Sequence, residues 1–595
     1  MGPVNKTIKR ILAAVKNKFI KNNWAYLVIL VAAGFFLYAF NFHNQLFWDD
    51  TDWIVNNPFV HEFSWENIKN LFTKNTLAGI GLTSNYYRPF LFITFLFNYI
   101  LDGINPIGYH LINNLLHIGN GILIYWLLYR IFKNKFIPFW TALFFIIHPL
   151  QTEAVTYVAG RGDPLNVFFM LSALALILAY RQNQRRLFLY FSYPLVSLAL
   201  LSRETAIIFP FLLMILDISF LRSEKFWQAL KKSFLFALPY FLIVFIYGLM
   251  RLTVLNFENT LNFYQNPNPY SESLLIRMYT FLSILILYLK LMILPLGLHM
   301  ERSATVFGAL FYWQVFLPLI ALVTSLIFLR RLYRNRSPGK ISGYNVMLFG
   351  FGWFFINLGP TSGITPINAT QYEHWLYLAL AGPLVMLFFF LNRFMKAKKS
   401  GYAIIVILLA AGVFFSFLTI KRNILWGNPI KFYEDILKYE PASARINNNL
   451  GNFYYDKNET KKAEDYYWKA VSVEDNFPQP HFNLGSILQD RGDIRGAIVE
   501  FEKAIEIDPN FPYAYQNLAV IYAAQGDLAA TIKYLEKFRE LQPQNPRAYY
   551  NLALVYLAVK DKESAYKNLN EGLLYGRYDP ETEKLIRELL NQLKS

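Results

Sequence analysis

The stretch YAIIVILLAAGVFFSFLTI, residues 402–420, holds nineteen residues without one charged side chain. A helix rises about 1.5 Å per residue, so this run reaches about 30 Å, the thickness of a bilayer's hydrocarbon core. Apolar runs of similar kind recur on its N-terminal side, near 24–40, 109–129, 136–150, 164–180, 187–201, 204–220, 233–251, 277–295, 309–329, 344–360 and 373–392. On its C-terminal side the composition changes. Residues 1–420 hold 34 Lys+Arg and 15 Asp+Glu, against 23 and 25 in residues 421–595. Charged residues thus make up about 12% of the first part and about 27% of the second, so a membrane-like body is joined to a water-soluble tail. This excludes a disordered or collagen-like chain and an ordinary soluble enzyme. Cysteine is absent, which removes disulfides, thiolate metal sites and cysteine nucleophiles.

Charge sets the expected topology. The N-terminus carries Lys6, Lys9, Arg10, Lys16, Lys18 and Lys21 with no acid before Asp49, and reads as an uncleaved anchor that starts inside. Basic clusters at 130–135, 181–186, 222–232, 330–340 and 393–399 can all face the cytoplasm if two apolar segments do not cross. One is 87–101, expected along the outer interface; the other is 277–295. About eleven crossings remain, and the tail then lies outside. The short loops favour a bacterial inner membrane with the tail in the periplasm.

Most acids of the body fall on that outer side. The first outer loop reads Phe47-Trp48-Asp49-Asp50-Thr51-Asp52-Trp53-Ile54-Val55-Asn56-Asn57-Pro58. Adjacent carboxylates raise each other's proton affinity and suit a proton-accepting role, which makes Asp49 and Asp50 catalytic candidates. Around them the sequence supplies Tyr87-Arg88-Pro89, His148 to Glu153, Gly160-Arg161-Gly162-Asp163, Arg203-Glu204, Glu301-Arg302 and Glu373-His374. Arginines facing carboxylates at one membrane surface fit an anionic lipid headgroup beside a general base. Arg88, Arg161, Arg203 and His148 are candidates for the lipid phosphate. Glu153, Asp163, Glu204, Glu301, Glu373 and His374 are candidates for support. His110 and His117, seven residues apart on one helix, read as a packed polar face. No phosphate-binding Gly-Lys loop, HExxH or dinucleotide fingerprint occurs, and no metal set is expected.

The tail repeats every 34 residues: Leu450-Gly451, Leu484-Gly485, Leu518-Ala519 and Leu552-Ala553, with Pro478, Pro512 and Pro546 in step. The small residues let the two helices of a unit approach closely. The pattern resembles the tetratricopeptide repeat, four units over 444–579. Asn447, Asn448, Asn483, Asn517 and Asn551 recur along one line, where amide groups can hold a peptide backbone. Asn448, Asn483, Asn517 and Asn551 are thus acceptor-binding candidates.

The ordered set of residues 47–58, Tyr87-Arg88-Pro89, the His148–Glu153 segment and Gly160-Arg161-Gly162-Asp163, followed by repeats, resembles the transmembrane-and-tetratricopeptide O-mannosyltransferases. The resemblance implies a multi-spanning C-type glycosyltransferase fold. It implies an acid of the first outer loop, Asp49 or Asp50, as catalytic base, a polyprenyl-phosphate-linked sugar as donor, and an acceptor arriving from outside. One departure stands out: Glu373-His374-Trp375-Leu376-Tyr377 replaces the family's Glu-Arg-Tyr-Leu-Tyr.

The expected fold is all-α, a polytopic membrane bundle followed by a repeat solenoid. Its parts are a basic cytoplasmic N-terminus 1–23, a membrane domain 24–420 with an outer loop 41–108 carrying interfacial helices, a connector 421–443, repeats 444–579 and a capping helix 580–595. The expected function is inverting transfer of mannose or another hexose to a hydroxyl of a protein or envelope acceptor held by the repeats. No cofactor is expected, a divalent metal is left open, and membrane lipid and lipid-linked sugar are partners. The slightly acidic tail argues against nucleic acid. The alternative is a non-catalytic scaffold that assembles envelope proteins on its repeats.

Overall fold

A computed structural model describes residues 19–257, 268–303, 305–334, 341–364, 369–395, 397–576 and 579–594. The basic residues before position 19, Glu258 and the sequon at Asn368 lie outside the described residues. The described residues contain helices and no strand.

Polar contacts sort the ends of the apolar helices onto two faces. On the face away from the repeats, Lys135 lies over Tyr26 and Arg130 donates to Gln182 (2.8 Å). There Asp217 accepts from Arg181 (3.0 Å) and Arg222 (2.5 Å), and Asn345 donates to the Ser219 carbonyl (2.6 Å). On the repeat face, Asn41 and Asn114 exchange bonds of 3.0 and 3.1 Å, and Thr156 donates to Asn423 (2.5 Å). These amides close the ends of helices Phe19–Tyr38, Pro106–Phe132 and Lys398–Leu425.

Helix Leu274–Ile293 is long and apolar enough to cross a membrane. Both of its ends nevertheless touch the repeat face. Arg277 donates to the Gly363 carbonyl (2.6 Å) near its start, and the Met292 carbonyl accepts from His148 (3.1 Å) near its end. Gly363 and His148 each follow a helix that begins on the far face, Gly343–Leu358 and Phe136–Ile147. Leu274–Ile293 therefore lies across the repeat face, with Ile284, Leu285 and Leu291 packed on Leu150, Leu358 and Leu376. Helix Pro89–Asp102 does the same: Arg88, just before it, pairs with Glu204, and Gly103, just after it, accepts from Tyr109.

Helix Phe136–Ile147 has twelve residues and rises only about 18 Å. The chain after it folds back into the protein, and every residue from 144 to 167 is buried. Irregular backbone is tolerated in such a place because protein groups satisfy it. His148 caps the next turn by accepting from the Leu150 N–H (3.2 Å).

In the tail, four helix pairs run from Ala444–Asp456 to Lys562–Leu573. A Cβ on Gly451 would stand 2.3 Å from the Tyr467 ring, and one on Gly485 2.7 Å from the Phe501 ring, which is why the small residue recurs. Asp493, Asp527 and Asp561, also 34 apart, cap the second helices by accepting from the N–H three residues on, at 2.9–3.0 Å. Helix Pro580–Lys594 closes the array with Ile586 and Leu590 buried. Residues 421–443 are more than a connector. Helix Lys398–Leu425 runs into them, and Trp426, Phe432, Tyr433 and Ile436 share one core with Phe47 and Trp53 of the body and Ile446 and Leu450 of the first repeat. Farther along, Lys74 of the first loop donates to Gln544 (3.1 Å), so the array curls back over that loop.

Candidate active site on the repeat face

The adjacent acids of the first loop take different roles. Asp50 is 2% exposed; its Oδ1 accepts from the Ala159 N–H (2.7 Å) and its Oδ2 from the Phe47 N–H (3.4 Å). Burial pushes its pKa well up, and those two N–H groups oppose the rise. With both oxygens committed, Asp50 fastens the loop to the re-entrant segment. Asp49 is half-buried, its N–H donating to the Tyr157 hydroxyl (3.2 Å). Burial raises its pKa, opposed by the Tyr157 hydroxyl and by the charges of Arg445 and Arg88. Burial and then the charge of Asp49 lift exposed Asp52 to about 6. Trp48 holds a left-handed backbone, φ 62°, which for a bulky side chain is a strained conformation. Its ring lies against Tyr433 (5.4 Å between centroids).

Two ion pairs stand beside this loop. Arg88 donates through Nε to Glu204 (3.0 Å), whose other oxygen accepts from the Tyr87 N–H (3.1 Å), and its guanidinium lies 4.6 Å from the Tyr86 ring. Arg203 donates through Nη1 to Asp163 (2.6 Å). The Arg203 guanidinium feels the charge of Arg88. Among the described residues, the remaining donors of both guanidinium groups make no hydrogen bond. Two adjacent cations, each held by one carboxylate and one nitrogen, can receive a phosphate with their free N–H groups.

A third cluster ties the loops of the repeat face together. Glu373, 1% exposed, accepts from Arg302 (2.8 Å), Arg422 (2.7 Å) and the His299 N–H (2.7 Å). Glu153 accepts from the Glu373 N–H (3.1 Å) and from His374 Nδ1 (2.6 Å). Burial drops His374 to about 3, so the ring is neutral and gives a hydrogen bond, not a charge. Burial lifts Glu153 to about 7, against the pull of Arg422 and Arg302. Glu301 accepts from Arg445 and Ser443 of the tail. Arg302 and Arg422 supply the cations of this cluster.

The structure brings together Asp49, Asp50, Arg88, Arg203, Asp163, Glu204, Glu153, His374, Glu373 and Glu301 on one face. It separates two residues from the lipid-phosphate role expected of them. Arg161 is fully buried and donates to Asn113 (2.6 Å), Thr94 (3.0 Å), Asn98 (2.8 Å) and the Tyr109 carbonyl (3.0 Å), so it is an internal clamp. His148 is fully buried, with both ring nitrogens spent on Leu150 and Met292. His110 and His117 are packed polar groups, bonded to Asn44 and to Tyr377 and Ile146. In the repeats, Asn483 donates to Asn448 (2.9 Å) and Asn452 (3.0 Å), which occupies the first part of the amide line, while Asn517 and Asn551 are half-buried farther along. Sequence reasoning missed Tyr157, Arg422 and Arg445 as site residues. Arg422 and Arg445 sit beyond the last apolar run, where a basic residue reads as an ordinary solvated charge. Among the described residues no three His, Asp or Glu side chains gather to hold a metal ion.

Fold and site define a multi-pass helical membrane protein that carries a tetratricopeptide-repeat array on the face of an acid–arginine cluster. Models of the tetratricopeptide repeat match residues 444–477 and 522–589, and a TPR repeat model matches 485–526. Over 76% of its length the chain is 26% identical to the protein O-mannosyl-transferase F38B6.6 of Caenorhabditis elegans, covering 63% of that protein. It is 25% identical to human protein O-mannosyl-transferase TMTC4 over 75% of its length, covering 66% of that protein. A shorter segment, 27% of the chain, is 34% identical to mouse protein O-mannosyl-transferase TMTC1. The chain therefore spans just under two thirds of the length of the first two relatives.

Proposed function

We propose that this chain is an integral-membrane glycosyltransferase that moves a hexose, mannose in the first instance, from a polyprenyl-phosphate donor to a hydroxyl of a protein or envelope acceptor. The observation that carries the reading is the partly exposed Asp49 carboxylate within reach of the Arg88 charge, with the Arg203–Asp163 pair near Arg88. Asp49 takes the proton of the acceptor hydroxyl. The oxygen attacks the anomeric carbon, the bond from that carbon to the phosphate oxygen breaks, and the polyprenyl phosphate leaves with inversion. Arg88 and Arg203 stabilise the charge that develops on the phosphate. A positioned base contributes about 10²–10⁴-fold, so the two cations supply much of the remaining rate. Asp50, Glu153 and Glu373 hold the loops. The repeats bind the acceptor along Asn517 and Asn551, on the same face as the base. The host membrane in this reading is a bacterial inner membrane with the repeats in the periplasm. Likeness to protein O-mannosyl-transferases supports the reaction class.

The test is transfer of labelled mannose from a polyprenyl-phosphate donor to endogenous envelope proteins, in membranes with and without the chain. Label that depends on the chain and disappears in Asp49→Asn supports the enzyme. Equal label with and without the chain refutes it and leaves the scaffold.

A further inference from the structure

Arg445 is the second residue of helix Ala444–Asp456, the first helix of the soluble array, yet its side chain reaches back into the membrane body. Its guanidinium pairs with Glu301, in the loop after Leu274–Ile293, and lies over the Trp48 ring at 5.6 Å. Its charge also acts on Tyr372, next to Glu373 and His374. One side chain of the tail thus touches two separate loops of the body and acts by its charge on a third. The segment it stacks on is the one under strain: Trp48 sits at φ 62°, immediately before Asp49, and its ring also lies against Tyr433. A left-handed tryptophan persists only where its surroundings hold it.

We infer that Arg445 is a positioning residue for the Asp49 base, acting through the Trp48 ring, so that the first repeat completes the reaction site instead of only delivering acceptor. The inference rests on Asp49 being the base. The groups that face Asp49 are Asp50 and Asp52 on its own loop, Tyr157 on the re-entrant segment, Arg88 before Pro89–Asp102, Tyr433 on Pro429–Leu437, and Arg445. Of these only Arg88 and Arg445 are cations, and each is paired with one carboxylate, Glu204 and Glu301. Loss of Arg445 removes one of two charges that favour the ionised carboxylate. The base then stays protonated to higher pH.

The experiment measures transfer against pH in full-length protein, with lipid-linked mannose and a peptide acceptor too short to reach Asn517. Arg445→Gln is expected to move the acid limb up by about one pH unit, about a tenfold loss of rate below it. Arg445→Lys keeps the charge and is expected to restore the acid limb, with a lower plateau because an ammonium lacks the planar stacking face. If Arg445→Gln fails to accumulate, Trp48→Leu, which removes the seat of the guanidinium, is expected to shift the limb in the same direction. An unmoved acid limb in the variant that accumulates overturns the inference while leaving the base assignment intact. Parental transfer by Asp49→Asn overturns both.

Discussion

Replacing each acid of the pair by asparagine separates their roles. Asp49→Asn keeps shape and an acceptor oxygen, so the protein is expected to insert and melt as the parent does. What disappears is a carboxylate able to take a proton. A loss of about 10²–10⁴ in rate corresponds to about 2.7–5.4 kcal/mol of barrier. Asp50→Asn acts elsewhere. Both carboxylate oxygens accept backbone N–H groups, at 2.7 Å from Ala159 and 3.4 Å from Phe47. Asparagine offers one oxygen, which keeps the shorter bond, and turns an NH2 toward the Phe47 N–H. An unsatisfied buried donor costs about 1–3 kcal/mol, and the neutral side chain recovers some of it by escaping the burial of a charge. Asp50→Asn is therefore expected to lower the melting temperature and retain partial activity, whereas Asp49→Asn keeps the melting temperature and loses activity. Transfer assays on membranes, with melting followed by size-exclusion fluorescence in detergent, read both. Parental transfer by Asp49→Asn together with a dead, fully stable Asp50→Asn refutes the assignment.

The two arginines given the same role by sequence should now diverge. Arg161→Met strands the acceptors on Asn98, Asn113 and Tyr109, and is expected to abolish accumulation, read by immunoblot. Arg203→Ala is expected to accumulate and raise the KM for the lipid donor about 10- to 100-fold, through loss of a charge-assisted contact. Gly485→Ala puts a Cβ 2.7 Å from Phe501 and is expected to destabilise the array by about 1–3 kcal/mol in urea melts. Glu153 holds its proton to about 7 when folded, above the ordinary 4.5. Its stabilising contribution is therefore full below pH about 4.5 and is lost as pH rises to about 7, by at most about 1.4 kcal/mol per pH unit. Glu153→Gln is expected to flatten the dependence of melting temperature on pH in that window.

The sequence by itself determined the elements. Apolar length marked the membrane helices, because a bilayer core accepts only long uncharged helical runs. A 34-residue period marked the repeats, because each unit needs a small residue where Tyr467 or Phe501 meets its partner helix. Charge bias and the clustering of acids between helices placed the candidate site on the repeat side, around Asp49, Arg88 and Arg203. Tertiary structure decided what each polar residue does there. Nothing local distinguishes Arg161 from Arg203, since both are arginines near a helix start. The fold buries residues 144–167 because helix Phe136–Ile147 is too short to bring them out, so Arg161 became a clamp while Arg203 kept free donors. Asp49 and Asp50 are likewise equivalent in sequence, and only the Ala159 N–H, 109 residues away, claims one and leaves the other. Arg422 and Arg445 read as charges of a soluble tail until the core shared by Phe47, Trp426 and Tyr433 folds that tail onto the membrane body. Side-chain identity and spacing are local properties, whereas burial and partnership depend on where distant segments pack.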